Sequence, residues 1–372
     1  MLYFAIFVFF ITFYRISFLS SSVYLLFLPA ILGFIYFFSK YKKIEISRKY
    51  FPFFLIFSFL SIYCGLLDFF QPKISIDSSF LFRMFTIILF SFFPAYYLVK
   101  VILKGDNYKL ERIIKYSFLI QTFIFILMFL IPSLKIPIYS VFGMADSVNL
   151  YDGNLESRGF GLSSEINFMS PFLMVYIAFL IFKDNIFLKS LVFITQIINS
   201  NMALISGILG ILVGGGKKYL KLFMLFLFLL IYYFFGISLI KNFMPRVYEE
   251  YILGGGSRTA DILLSHHVFL LDKLDIFSLS FGFQVNISSS VTQQGRYSDM
   301  GWIIMMNYGG FVLIFLFLIL IFCLSKLIFS NKLYAIVWFL IGILFNTKGM
   351  IIGMNGYFFL SFVLLLSRKY SK

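Results

Sequence analysis

Apolar runs recur twelve times along this chain, and no other feature limits its possible folds so sharply. They lie at 1–17, 20–39, 51–68, 80–99, 114–132, 166–182, 186–199, 202–214, 220–240, 300–323, 333–346 and 350–367. About twenty apolar residues carry a helix across a bilayer. Within the hydrocarbon every backbone amide and carbonyl must be paired inside the protein, which here favours helices. The expectation is an all-α polytopic membrane protein, a single integral membrane domain over 1–372 with about 12 transmembrane helices. Composition agrees: 61% of residues are apolar and 13% charged, with a mean hydropathy of +0.97. A soluble fold of 372 residues could not hide that much apolar surface. Met1 leads straight into apolar sequence with no basic region or small-residue cleavage site, so no cleavable signal is expected.

The tripeptide Asn199-Ser200-Asn201 splits one long apolar run into two short ones. Reading that run as a single helix would invert half the protein, and charge decides between the two. With twelve spans and both termini cytoplasmic, the inner segments hold 20 of the 31 basic residues against four acids, a net +16. The outer segments hold the other 11 bases and 12 acids, a net −1. Cytoplasmic enrichment of Lys and Arg therefore accounts for the whole net charge of +15, and no nucleic-acid partner is needed.

The kind of base also differs between the two sides. Inside, 3 of 20 are Arg; outside, 6 of 11 are Arg. A lysine marks topology well enough as a point charge, whereas the guanidinium is a planar fork that grips phosphate or carboxylate with two hydrogen bonds. Two larger outer loops, 133–165 and 241–299, carry most of the outer arginines and form the expected site. The first contains Arg158-Gly159-Phe160-Gly161 and then Ser164-Glu165, where Ser164 suits an N-cap. Glu165 in the first turn of the next helix is a candidate base, although the helix dipole alone would also favour it there. The second contains Arg246, then Gly254-Gly255-Gly256-Ser257-Arg258 leading into an amphipathic helix expected at about 258–273, and later Arg296 and Asp299. A glycine run feeding a capped helix with Arg at its start suits an anion. On that helix His266 falls at the polar edge and His267 among leucines.

Several chemistries lack their sequence signatures. There is no HExxH, no metal-spaced Cys/His set, no P-loop, no dinucleotide fingerprint, no DxD pair among the outer acids and no Gly-x-Ser-x-Gly. No metal or other cofactor is expected. Cys64 and Cys323 belong to spans that put them near opposite faces, so no disulfide is expected.

The layout resembles the Wzy-type O-antigen polymerases, relatives of the O-antigen ligases among membrane glycosyltransferases. The residues that carry the likeness are Arg158, Gly159, Gly161 and Glu165 in the first loop. In the second they are Ser257-Arg258, Phe281-Gly282 and Ser298-Asp299-Met300-Gly301-Trp302, with Gly309-Gly310 in the following span. In some members an Arg is followed eleven positions later by Gly in both loops; here Met169 and Phe269 hold those positions. The resemblance implies a bacterial inner-membrane enzyme with both large loops in the periplasm. Its substrates would be undecaprenyl-pyrophosphate-linked oligosaccharide repeat units, and a chain-length regulator protein is among the partners it implies. The enzyme would move a growing glycan from one lipid pyrophosphate to the non-reducing-end sugar of another repeat unit, without metal and with inversion. Arg158 and Arg258 would bind the two pyrophosphates, assisted by Arg246 or Arg296. Glu165, then His266, then Asp299 are the candidates for the base that takes the acceptor proton. Two other readings stand beside it: an O-antigen ligase, and a flippase or transporter of lipid-linked sugars, for which broken helices and buried charge would speak.

Overall fold

The computed structural model describes residues 1–18, 20–40, 48–70, 79–142, 161–162, 169–182, 185–200, 202–213, 226, 268–270, 275–288 and 297–367. In chain order the helices are α1 (Leu2–Phe13), α2 (Phe27–Lys40), α3 (Phe51–Phe70), α4 (Phe80–Ile102) and α5 (Asn107–Leu130). They continue with α6 (Lys135–Val141), α7 (Met169–Ile181), α8 (Ile186–Asn199), α9 (Met202–Val213) and α10 (Ile276–Phe281). The last three are α11 (Gly301–Ile328), α12 (Lys332–Lys348) and α13 (Gly356–Ser367). Four of them, α3, α4, α5 and α11, are long and apolar enough to cross a membrane. Six more, α1, α2, α7, α8, α9 and α13, are apolar but run only 12 to 14 residues. At 1.5 Å per residue such helices reach about 21 Å at most, short of the hydrocarbon thickness.

Three of the expected spans are reshaped. The first helix stops at Phe13, and Arg15 takes a left-handed φ of 52°. A short antiparallel hairpin follows, Ser17–Phe18 paired with Ser20–Tyr24, so α2 starts seven residues later than its apolar run. Apart from this hairpin the regular structure of the described residues is helical. The stretch 17–24 contains four serines, a residue type that favours helix less than the apolar residues around it, which apolarity alone does not reveal. At the other end, 350–355 is irregular, with Gly353 at φ 133°, and α13 starts only where Asn355 Oδ1 accepts from the Phe358 amide. By contrast the break at Ser200 is present. α8 ends at Asn199, Ser200 is extended (φ −156°, ψ 127°) and α9 begins at Met202.

The chain divides into two compact units, one made of 1–33 and 97–257, the other of 34–96 and 258–372. In the first, α1 packs on α5 through Phe9, Phe13 and Phe118, and α7 is buried from Met169 to Phe179. α9 presents Ala203, Ser206, Gly207 and Gly210 to α7 and α8 at spacings of three and four, so the backbones approach closely. A Cβ on Gly210 would sit 2.8 Å from Phe179, and Ser206 donates to the Phe172 carbonyl at 2.6 Å. Lys104 and Gly105 turn the chain with positive φ, and Asp106 then caps α5, accepting from the Lys109 amide and pairing with its ammonium at 3.1 Å. Those hydrogen bonds hold the Asp106 carboxyl below the usual range.

In the second unit α11 packs on α3, α10, α12 and α13. The core between α12 and α13 is Trp338 stacked on Tyr357, with centroids 5.1 Å apart and planes 15° apart. Each ring also spends its polar atom: Trp338 Nε1 donates to Ser361 and Tyr357 Oη to the Trp338 carbonyl. α4 departs from regular helix over Ile88–Phe92 and Tyr97–Ile102, where it widens to π-helix on either side of buried Pro94. Proline donates no amide and crowds the preceding turn, a fault that a widened turn absorbs.

Candidate functional site

The described part of the second large loop is built around a fault in α11. Gly310 interrupts this helix with φ 62° and ψ −160°, a conformation open in practice only to glycine. A continuous helix would pair the carbonyls of the preceding turn four residues on. Here the Asn307 carbonyl accepts from the Phe283 amide at 2.7 Å and the Tyr308 carbonyl from the Gln284 amide at 3.1 Å. The Gly309 carbonyl accepts from Tyr63 Oη of α3 at 2.8 Å. All three carbonyls before the fault thus have donors from outside the helix, as a low-dielectric setting requires.

Glycine on both sides makes this contact possible. Gly282 (φ 71°) approaches so closely that a Cβ would lie 2.6 Å from the Gly309 nitrogen, and a Cβ on Gly310 would overlap the Ser280 carbonyl. The loop enters through α10, capped by Asp275, whose side chain accepts from Ser278. That hydrogen bond keeps the Asp275 carboxyl below its ordinary range. Asn307 Nδ2 ties in a further strand of the loop by donating to the Phe269 carbonyl at 3.0 Å.

Beside the fault lies a buried carboxylate. Asp68, in the last turn of α3 and 6% exposed, accepts from Ser79 Oγ at 2.6 Å, the Leu81 amide at 2.9 Å and the Phe80 amide at 3.1 Å. It also accepts from the Tyr308 hydroxyl, whose ring stacks on Phe80 with centroids 4.0 Å apart. The two amides open α4, so the negative charge meets the positive end of that helix. Four donors occupy the carboxylate. Its chemistry is that of a clamp joining α3, α4 and α11.

The described residues of the first large loop are held on the other unit. Gly161 and Leu162 lie against α5, where Gln121 brackets Leu162: Nε2 donates to its carbonyl and Oε1 accepts from its amide, both at 3.0 Å. Tyr139 Oη of α6 donates to the Gly161 carbonyl at 2.7 Å, and the Gly161 amide points at Met128 Sδ at 3.1 Å. Gly161 has φ 91°, and a Cβ there would lie 2.7 Å from Gln121 Nε2. Burial raises the Tyr139 hydroxyl well above the ordinary phenol, so it stays a donor. Lys135, one turn earlier on α6, is buried too.

Of the residues singled out from the sequence, Arg158, Glu165, Arg246, Arg258, His266 and Arg296 lie outside the described residues. Asp299 is described. It is exposed, in the turn that leads into α11, between buried Ser298 and the N-cap Met300. Ser298 fixes that turn, donating its amide to the Ile287 carbonyl at 2.8 Å and accepting from the Met300 amide at 3.2 Å. The amphipathic helix expected at 258–273 lies mostly outside the described residues; 268–270 is in no helix. Asp68 and Gln121 were not singled out, although each is a lone polar residue at the end or in the middle of an apolar run, a signal the sequence does contain. No group of three His, Cys, Asp or Glu that could hold a metal occurs among the described residues.

No protein-family model matches the chain, and neither the curated proteins nor the solved structures contain a match to it.

Proposed function

We propose that this protein is a polysaccharide polymerase of the membrane glycosyltransferase kind, joining lipid-linked repeat units at the outer face of the bacterial inner membrane. The observation that carries the reading is the concentration of arginine in two outer polar loops, each of which includes a short segment docked onto a helix by main-chain hydrogen bonds. Pyrophosphate leaves as a polyanion, and fixed guanidinium groups stabilise the charge that develops on it without a metal. Arg158 and Arg258 are assigned to the two lipid pyrophosphates, with Arg246 and Arg296 in support. Glu165 is the first choice as the base that deprotonates the acceptor hydroxyl, followed by His266 and Asp299.

The experiment is polymerisation of a synthetic undecaprenyl-pyrophosphate-linked repeat unit by the purified protein. The parent should make a glycan ladder. Arg258→Ala should lose it while keeping the parent's unfolding midpoint, and Glu165→Gln should lower turnover by about 100-fold or more if Glu165 is the base. A folded parent that makes no ladder would defeat the proposal.

One observation favours a second reading, a transporter of lipid-linked sugars: α11 is broken at Gly310 beside a buried carboxylate. Against it, the carbonyls freed by the break and all the acceptor positions seen on Asp68 already have protein donors. Scrambling of the same lipid across vesicles by a protein that makes no ladder would establish the transporter instead.

A further inference from the structure

We infer that Gln121, with Tyr139, is a positioning residue for the first outer loop: it fixes the main chain at Gly161-Leu162, from which Arg158 and Glu165 are each three residues away in sequence. The role in turnover rests on the polymerase reading above; the anchor itself does not.

Gln121 is 3% exposed, in the middle of an apolar helix, where an unpaired amide is costly. Its amide makes two hydrogen bonds to one residue, the Leu162 carbonyl and amide, at the spacing of a paired strand. With Tyr139 on the Gly161 carbonyl and Met128 facing the Gly161 amide, all four backbone polar groups of the dipeptide are met by side chains. Leu162 is itself buried, at 8% exposure. A segment held in this way cannot slide by one residue, because no neighbouring residue could follow Gly161 into φ 91° or tolerate its contact with Gln121.

Chain length turns the anchor into a constraint on chemistry. Arg158 precedes Gly161 by three residues and Glu165 follows Leu162 by three. Three residues of fully extended chain reach about 11 Å at most, a short tether on either side of the clamp. A candidate phosphate ligand and a candidate base thus share one tether. Near-attack geometry is lost with displacements of about 1 Å, so loosening the tether should reduce the chemical step more than binding.

The test compares the parent with Gln121→Leu, Gln121→Glu and Tyr139→Phe by hydrogen–deuterium exchange and by polymerisation. In Gln121→Leu the peptide across 161–162 should exchange roughly tenfold faster or more, while α7 and α8 peptides keep the parent's protection. Its kcat should fall about tenfold or more with KM within about twofold. Tyr139→Phe, which removes only an oxygen, should show the same pattern more weakly and covers the case in which Gln121→Leu does not fold. Gln121→Glu adds a pH signature. A carboxyl there can both donate and accept only when protonated, so its activity relative to the parent should climb as pH falls. Unchanged exchange in both Gln121→Leu and Tyr139→Phe would overturn the anchor. Faster exchange with parental kcat would overturn the positioning role. A parent that makes no glycan would sink the polymerase reading, and the exchange data alone would then decide the anchor.

Discussion

Asp68 shows how much one polar atom can organise in an apolar setting. Its carboxylate accepts from Ser79, Phe80, Leu81 and Tyr308, so deleting it orphans donors on α4 and α11 together. Asp68→Ala should cost about 3–5 kcal/mol, because several buried neutral donors lose their acceptor at roughly 1–3 kcal/mol each. Tyr308→Phe removes one hydrogen bond to a charged group and should cost about 1.5–3 kcal/mol. Unfolding midpoints in detergent check the ranking, and equal losses would contradict a four-donor clamp. The arginines were conspicuous in the sequence because their kind and their expected side could be counted. The clamps were not. A lone Asp or Gln among phenylalanines signals a buried polar contact, but its partners lie 11 to 240 residues away in sequence, and no local pattern names them.

At the scale of elements, apolar periodicity located the helices well and their irregularities poorly. The ends of α8 and α12 fall within two residues of the apolar runs that announced them, since Asn185, Ser200 and Asn331 punctuate the chain with side-chain caps or extended backbone. The hairpin at 17–24, the π-helical turns of α4 and the fault in α11 were hidden, because each leaves the hydropathy of its segment unchanged. Gly310→Ala forces a side chain into both a strained backbone region and the Ser280 carbonyl. It should cost about 2–4 kcal/mol, and the 275–288 peptide should lose protection to exchange before α11 does. Parental protection there would mean that the docking does not depend on the fault.

For the whole molecule, four helices among the described residues have the length and apolarity to cross a membrane. The charge pattern makes a direct prediction. With Cys64 and Cys323 replaced by alanine, cysteine at exposed Ile276 should react with an impermeant maleimide from the outer side. Cysteine at exposed Asn331 should react only after the membrane is opened. The reverse result would invert the topology and with it the side on which the arginine-rich loops work.

The fault at Gly310 also has a bearing on how the chain is made. Ribosomes deliver residues in order, and Tyr63, Phe283 and Gln284 all emerge before the carbonyls of 307–309 that they serve. When the upper turns of α11 reach the membrane, every donor needed to seal them has already been synthesised. The broken helix therefore need not wait, with bare carbonyls in lipid, for any later part of the protein.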